Sequence, residues 1–184
     1  MFSPRKSAQI AAFFTDKEGG SINIVKLMKL VYLSDRMSMD EYAYPITYDD
    51  WCSMDYGPVP SETYDLAKGS KRDLGWDHWM GRRQGTQIAT KQRNIDVDTL
   101  LELSVSDTKI MQAVWEAVGH MDRFELADYT HKICGEWIDP NGSSLSILPE
   151  EMLEAIGRPK ELAKEQADVL RANHNIDEVF KRAV

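Results

Sequence analysis

Three groups of side chains have the types and spacing that chemistry requires. Asp35 is the first: at 100° per residue it falls among Ile24, Leu27, Met28, Val31 and Tyr42 on the apolar side of a helical pattern, with Lys26, Lys29, Arg36 and Asp40 in a narrow charged strip opposite. A carboxylate so placed must be hydrogen-bonded, paired with a base or protonated. It reads first as a structural acceptor for backbone N–H groups of the turn near Tyr56, and second as a partner contact. General acid–base work would need another titratable group across a substrate, and nothing nearby in the sequence nominates one. His131 and Cys134, three apart on a predicted helix, form the second group, with Cys52 as a third conceivable zinc ligand. Structural zinc sites use paired C-x-x-C or H-x-x-x-H units and only one half-unit is present, so neither a metal nor a cofactor is expected. A Cys–His nucleophile built from the same residues lacks oxyanion donors and an orienting acid. Trp76 and Trp79, interleaved with basic residues, are the third group. They have the composition of a nucleic-acid patch and equally of a protein-interface hot spot.

The chain contains no G-x-S-x-G, G-x-x-x-x-G-K-[ST] or G-x-G-x-x-G motif, leaving hydrolase and nucleotide-binding routes unsupported and no catalytic residue to name. Charge is more informative. The net charge is −8, which disfavours unaided binding to nucleic acid or an anionic membrane. Residues 35–65 hold eight acids against Arg36 alone, for a net of −7, and residues 66–95 hold seven bases against Asp73 and Asp77, for a net of +5. Two neighbouring solvated faces that partly neutralise each other, or a bipolar docking surface, both account for this reversal. Two distant cysteines, the lack of a charged-then-apolar leader and of any run of ~20 apolar residues predict a reduced, cytoplasmic protein without a membrane span.

At 184 residues and 42% hydrophobic, the chain is long enough to bury roughly 70% of its unfolded surface as one domain. Ser3-Pro4 opens a first helix, with Ile10, Ala11, Phe13 and Phe14 as its apolar face, and Gly19-Gly20 stops it. Ser21 or Asn23 then caps a helix from residue 24 to about 41, which Pro45 ends. Residues 46–48 and 51–54 favour a strand, and Pro58 and Pro60 stiffen a turn leading to a short helix capped by Ser61 and reaching residue 68. Residues 69–94 read as a loop with a short strand at 86–91, able to pair with the earlier strand as a hairpin or wing. Ser106 or Asp107 begins the next helix, carrying Ile110, Met111, Val114, Trp115 and Val118, and Gly119 ends it. Asp122 and Glu125 have the spacing of a capping box for a helix from 123 to about 133. Charged helices are expected at 149–156, 159–172 and 177–182 after a short linker at 140–144. The expected fold is therefore mainly α, a compact helical domain over 1–140 with a small β-hairpin or wing, and a helical extension, 141–184, packed on it.

Three segments suggest a family. They are Lys26-Leu27-Met28-Lys29-Leu30-Val31-Tyr32-Leu33-Ser34-Asp35, then Pro45-Ile46-Thr47 with an aromatic strand at Trp51, then Tyr56-Gly57-Pro58-Val59-Pro60-Ser61-Glu62-Thr63-Tyr64. In order and spacing they resemble the Panacea domain, the SocA-like antitoxin family of bacteria and phages. Leu126-Ala127-Asp128-Tyr129-Thr130-His131-Lys132, followed by Trp137, is similar to the family's later helix. Ala43-Tyr44 departs from the family, which often has a glycine and a basic residue before the proline. The resemblance implies a non-catalytic antitoxin of a type II toxin–antitoxin system that neutralises its cognate toxin as a heteromer. Family antitoxins counter quite different toxins, alarmone-synthetase-like enzymes among them, and SocA itself delivers its toxin to a ClpXP protease. On this reading Asp49, Asp50, Asp55, Tyr56, Pro58 and Pro60 meet a basic toxin surface, Trp76, Trp79 and Arg82 anchor beside it, and Asp35 stays a buried structural acid. The alternatives are a winged-helix-like nucleic-acid-binding regulator and a proteolytic adaptor.

Overall fold

The computed structural model describes the backbone of residues 1–182 and the side chains of residues 1–173. Ser3 accepts a hydrogen bond from the Lys6 N–H, and Pro4 occupies the first turn of α1 (Pro4–Lys17). α2 (Ile24–Tyr42) starts at Asn23, whose side chain accepts from Val25 N at 3.0 Å. α1, α5 (Val105–Val118), α6 (Arg123–Ile133) and the hairpin strand β3 (Gly57–Pro60) all pack against α2. The two lysines of the expected charged strip therefore do not face water, Lys26 and Lys29 being 6% and 1% exposed, whereas Arg36 is half-buried and Asp40 exposed. Their stems pack as apolar matter while their ammonium groups reach oxygen acceptors. Lys26 Nζ donates to Glu18 Oε2 at 2.7 Å and to the Gly119 carbonyl at 2.8 Å, and Lys29 Nζ to the Pro58 carbonyl at 2.8 Å. A helix so enclosed cannot enter a DNA groove, which removes the recognition element a winged helix needs.

Strand pairing also differs from expectation. β1 (Ser21–Asn23) pairs antiparallel with β4 (Gln87–Ala89), placing Ile22 opposite Ile88 in the core. The strand near residue 88 thus joins the entrance to α2 and forms no wing with residues 51–54, because a buried isoleucine pair outweighs a sequence-local pairing. β2 (Trp51–Met54) instead pairs with β3 in a hairpin, and its other edge takes β5 (Leu145–Ile147), in the order β3-β2-β5. Ser61 N donates to the Asp50 carbonyl at 2.7 Å, so Trp51–Pro60 and Ser53–Pro58 are the pairs without ladder bonds. Both prolines therefore turn their nitrogens away from β2, where a missing donor costs nothing.

α3 (Ser61–Lys68) follows the hairpin directly. α4 (Leu74–Trp79), within the stretch expected as loop, is capped by Asp73, which accepts from Gly75 N and Trp76 N. Reciprocal capping boxes start α5, at Ser104 and Asp107, and α6, at Asp122 and Glu125 as the spacing predicts. α7 (Pro149–Ala155) packs on α2 and on α8 (Lys160–Arg182), a single helix where two segments were expected. The molecule is mainly helical with a small antiparallel β element, as its sequence led us to expect.

Candidate functional site

Asp35 is fully buried at the centre of a set of donors. Its Oδ1 accepts from Thr47 N at 2.8 Å, and its Oδ2 from Thr47 Oγ1 and from Trp51 Nε1 at 3.0 Å. The donors come from residues 47–51 and not from the turn near Tyr56, so this acid staples the chain leaving α2 to the start of β2. Burial raises its pKa above the usual carboxylate range, and the Thr47 and Trp51 bonds oppose that rise. Asp49 has a related internal role and is only 6% exposed. It accepts from Glu62 N and Thr63 N, both at 2.8 Å, and from Thr63 Oγ1 at 2.7 Å. Asp49 thus performs the capping of α3 expected of Ser61, and the partner contact expected of it is closed off by burial. Burial pushes its carboxyl up to about 7 against those donors.

A third buried acid, Glu136, escaped sequence reasoning. Its Oε1 accepts from Tyr32 Oη at 2.7 Å and from Arg36 Nε at 2.9 Å, tying α2 to the segment after α6. Tyr32 on a buried helix face requires an acceptor, but no local spacing names one 104 positions away.

Beneath the hairpin, burial lowers the Lys29 pKa to about 7. Gly57, at φ 95°, is required beside it: a Cβ would stand 2.8 Å from Thr130 Oγ1 and 3.1 Å from Lys29 Nζ. His131 stacks on Trp137 at 4.1 Å, and Trp137 Nε1 donates to the Met54 carbonyl. Burial, then Lys29, lowers the His131 pKa. Burial pushes the Cys134 thiol up to about 12, leaving it protonated and unreactive at neutral pH. Among the described residues no group of three or more His, Cys, Asp and Glu side chains converges to hold a metal ion, and no helix is long and apolar enough to cross a membrane.

The remaining expected contact residues divide between surface and interior. Tyr56 stands at the hairpin tip, 59% exposed, beside Asp55, whose carboxylate accepts from Gly142 N at 3.0 Å. Asp50 is exposed, whereas Pro58 and Pro60 are buried and hold the tip from behind. Trp76 and Trp79 are 2% and 8% exposed, so they are core residues of α4 and cannot act as surface anchors. Their spacing of three turns both indoles to one side of that helix, which packs on α1. Arg82 is exposed and lines a 220 Å³ cleft with Lys68, Arg72, Arg83, Trp76 and Asp77. Arg72 and Asp77 form an ion pair at its edge.

α3 separates Asp50 from this cleft. Its first residue bonds to Asp50, its last residue Lys68 enters the basic cleft, and it spans about 12 Å. Along α3 the two charge segments meet in ion pairs, Lys71 with Glu62 and Lys68 with Asp65, so they partly neutralise each other, while Asp50 stays exposed at one end and Arg82 in the cleft at the other. This part of the surface presents the exposed Asp50 and Arg82 and, at the hairpin tip, the exposed Asp55 and Tyr56.

No match exists among curated proteins or solved structures. Residues 27–138 match the family described as Antitoxin SocA-like, Panacea domain. That span runs from the first turn of α2, through the Asp35 staple and the hairpin, to the residue after Trp137. On this match the chain belongs to the SocA-like antitoxin, Panacea domain family.

Proposed function

We propose that this protein neutralises a cognate toxin protein by direct binding in the cytoplasm, with Asp50, Asp55 and Tyr56 on a basic toxin surface and Arg82 on an acidic one. The observation that carries the reading is the exposed hairpin tip, where Tyr56 stands beside Asp55, with Asp50 exposed at the open end of the hairpin and Arg82 in the basic cleft across α3. Complementary charge speeds encounter and fixes register, and an aromatic side chain supplies anchoring area. Pro58 and Pro60 contribute by stiffening the tip, and Asp49 and the two tryptophans by holding its scaffold. The family resemblance makes an alarmone-synthetase-like enzyme one candidate toxin. The enclosed α2 disfavours the winged-helix alternative.

The test is co-expression with a reading frame adjacent to this gene, which on this reading is toxic when expressed alone. The wild-type chain should restore growth and capture the toxin as a heteromer. Asp50→Lys with Tyr56→Ala should weaken capture about tenfold or more at an unchanged melting temperature. Full rescue by that variant would remove this contact face. Toxin that persists but is inactive indicates occlusion, and toxin that disappears in a ClpXP-dependent way indicates delivery to the protease.

A further inference from the structure

Two adjoining hollows of 380 and 330 Å³ run beside α8 and share Tyr48 and Leu170. Tyr42 and Tyr44 stack with ring centroids 5.7 Å apart at the end of α2 and are 43% and 36% exposed. Across the groove α8 presents Leu162 and Val169, 40% and 56% exposed, and Leu148 stands at the far end, 45% exposed. Apolar side chains exposed singly are ordinary on a protein surface, whereas five along one groove mark an interaction site. Asp50 and Glu165 stand in the walls, and Glu41 adjoins Tyr42. Arg171, a cation in the wall, is already engaged by Glu150 and Asp168.

An added strand has little to pair with here. The ladder alternation turns the backbone groups of Leu145 and Ile147 towards β2 and leaves only those of Ser146 facing outward. The Leu148 N–H is held by the Glu151 carboxylate at 2.7 Å. Leu162 to Leu170 covers about 12 Å of α8, the length over which a helix presents apolar residues at i, i+4 and i+7.

We propose that this groove receives a cationic amphipathic helix of the toxin, its apolar side chains between Tyr42–Tyr44 and Val169 and its Lys or Arg residues beside Asp50 and Glu165. This rests on the antitoxin reading and extends its acidic contact, since Asp50 belongs to both surfaces. The test uses a fluorescein-labelled leucine–lysine peptide of helical period as probe, beside the captured toxin. Wild-type protein should bind the peptide saturably, release it to the toxin, and ignore a leucine–glutamate peptide of the same pattern. Val169→Lys should weaken both peptide and toxin about tenfold or more, and more than Val169→Glu does. Val169 is exposed, so both variants should melt as wild type does. Equal binding of the glutamate peptide, or unchanged peptide affinity in Val169→Lys, would overturn the proposal. Toxin capture that withstands Val169→Lys would also overturn it while leaving the antitoxin reading standing. Loss of all toxin capture by the wild-type chain would instead remove the antitoxin reading itself.

Discussion

Lys29 is buried with the Pro58 carbonyl as its acceptor, and burial brings its pKa down to about 7. In the unfolded chain the same lysine keeps its proton to about pH 10.5. Above pH 7 the unfolded state therefore binds more protons than the native state, and this group's contribution to stability rises with pH. The buried thiols act in the opposite sense above about pH 9, because Cys52 and Cys134 have raised pKa values and release their protons first when unfolded. Between about pH 7 and 8.5 the wild type should gain stability relative to Lys29→Met, with a slope approaching 1.4 kcal/mol per pH unit. Urea titration of both proteins across that window measures it, and a constant difference would mean that Lys29 stays protonated. Asp35 was legible as a buried acceptor because an acid among apolar helix positions has few alternatives. Its donors were not, since Thr47 and Trp51 arrive by a chain reversal that periodicity does not encode. Asp49 and the two tryptophans look like surface chemistry by type, and only packing places them inside.

Among the elements, α2 ends at Ala43, which adopts a left-handed conformation with φ 59° and ψ 22°. A Cβ in that region costs roughly 1–2 kcal/mol, and the position favours glycine. Part of any gain from glycine is lost to the greater freedom of the unfolded chain. Ala43→Gly should therefore stabilise the protein by about 0.5–1 kcal/mol, a rise of roughly 1–4 °C in melting temperature. A fall would show that the Ala43 methyl contributes packing that outweighs the strain. The departure from the family at this residue thus has a defined local cost. The capping box of α6 was readable because both partners lie within one turn. The pairing of β1 with β4 was not, since strands of three residues carry almost no periodicity and find each other through Ile22 and Ile88.

At the scale of the whole molecule, the C-terminal segment completes structure begun far upstream. β5 covers an edge of β2, with Ile147 opposite Trp51, and Met152 and Leu153 of α7 are fully buried. Each such apolar side chain contributes about 1.5–3 kcal/mol, against a total stability of about 5–15 kcal/mol for a typical domain. Ending the chain after Asp139 should therefore abolish a cooperative melting transition and drive the product to aggregate, as calorimetry and light scattering would show. A cooperative, monomeric 1–139 fragment would instead establish the extension as an accessory. The sequence alone determined the family, the predominance of helix, the course of the central helix and the internal fate of Asp35, because these depend on interactions between near neighbours along the chain. Only the tertiary structure decided which charged and aromatic residues face water. It also decided which short strands pair, and that bases and acids of neighbouring segments meet along α3, Lys71 with Glu62 and Lys68 with Asp65. Those outcomes follow from burial and from contacts between distant residues, which local spacing does not record.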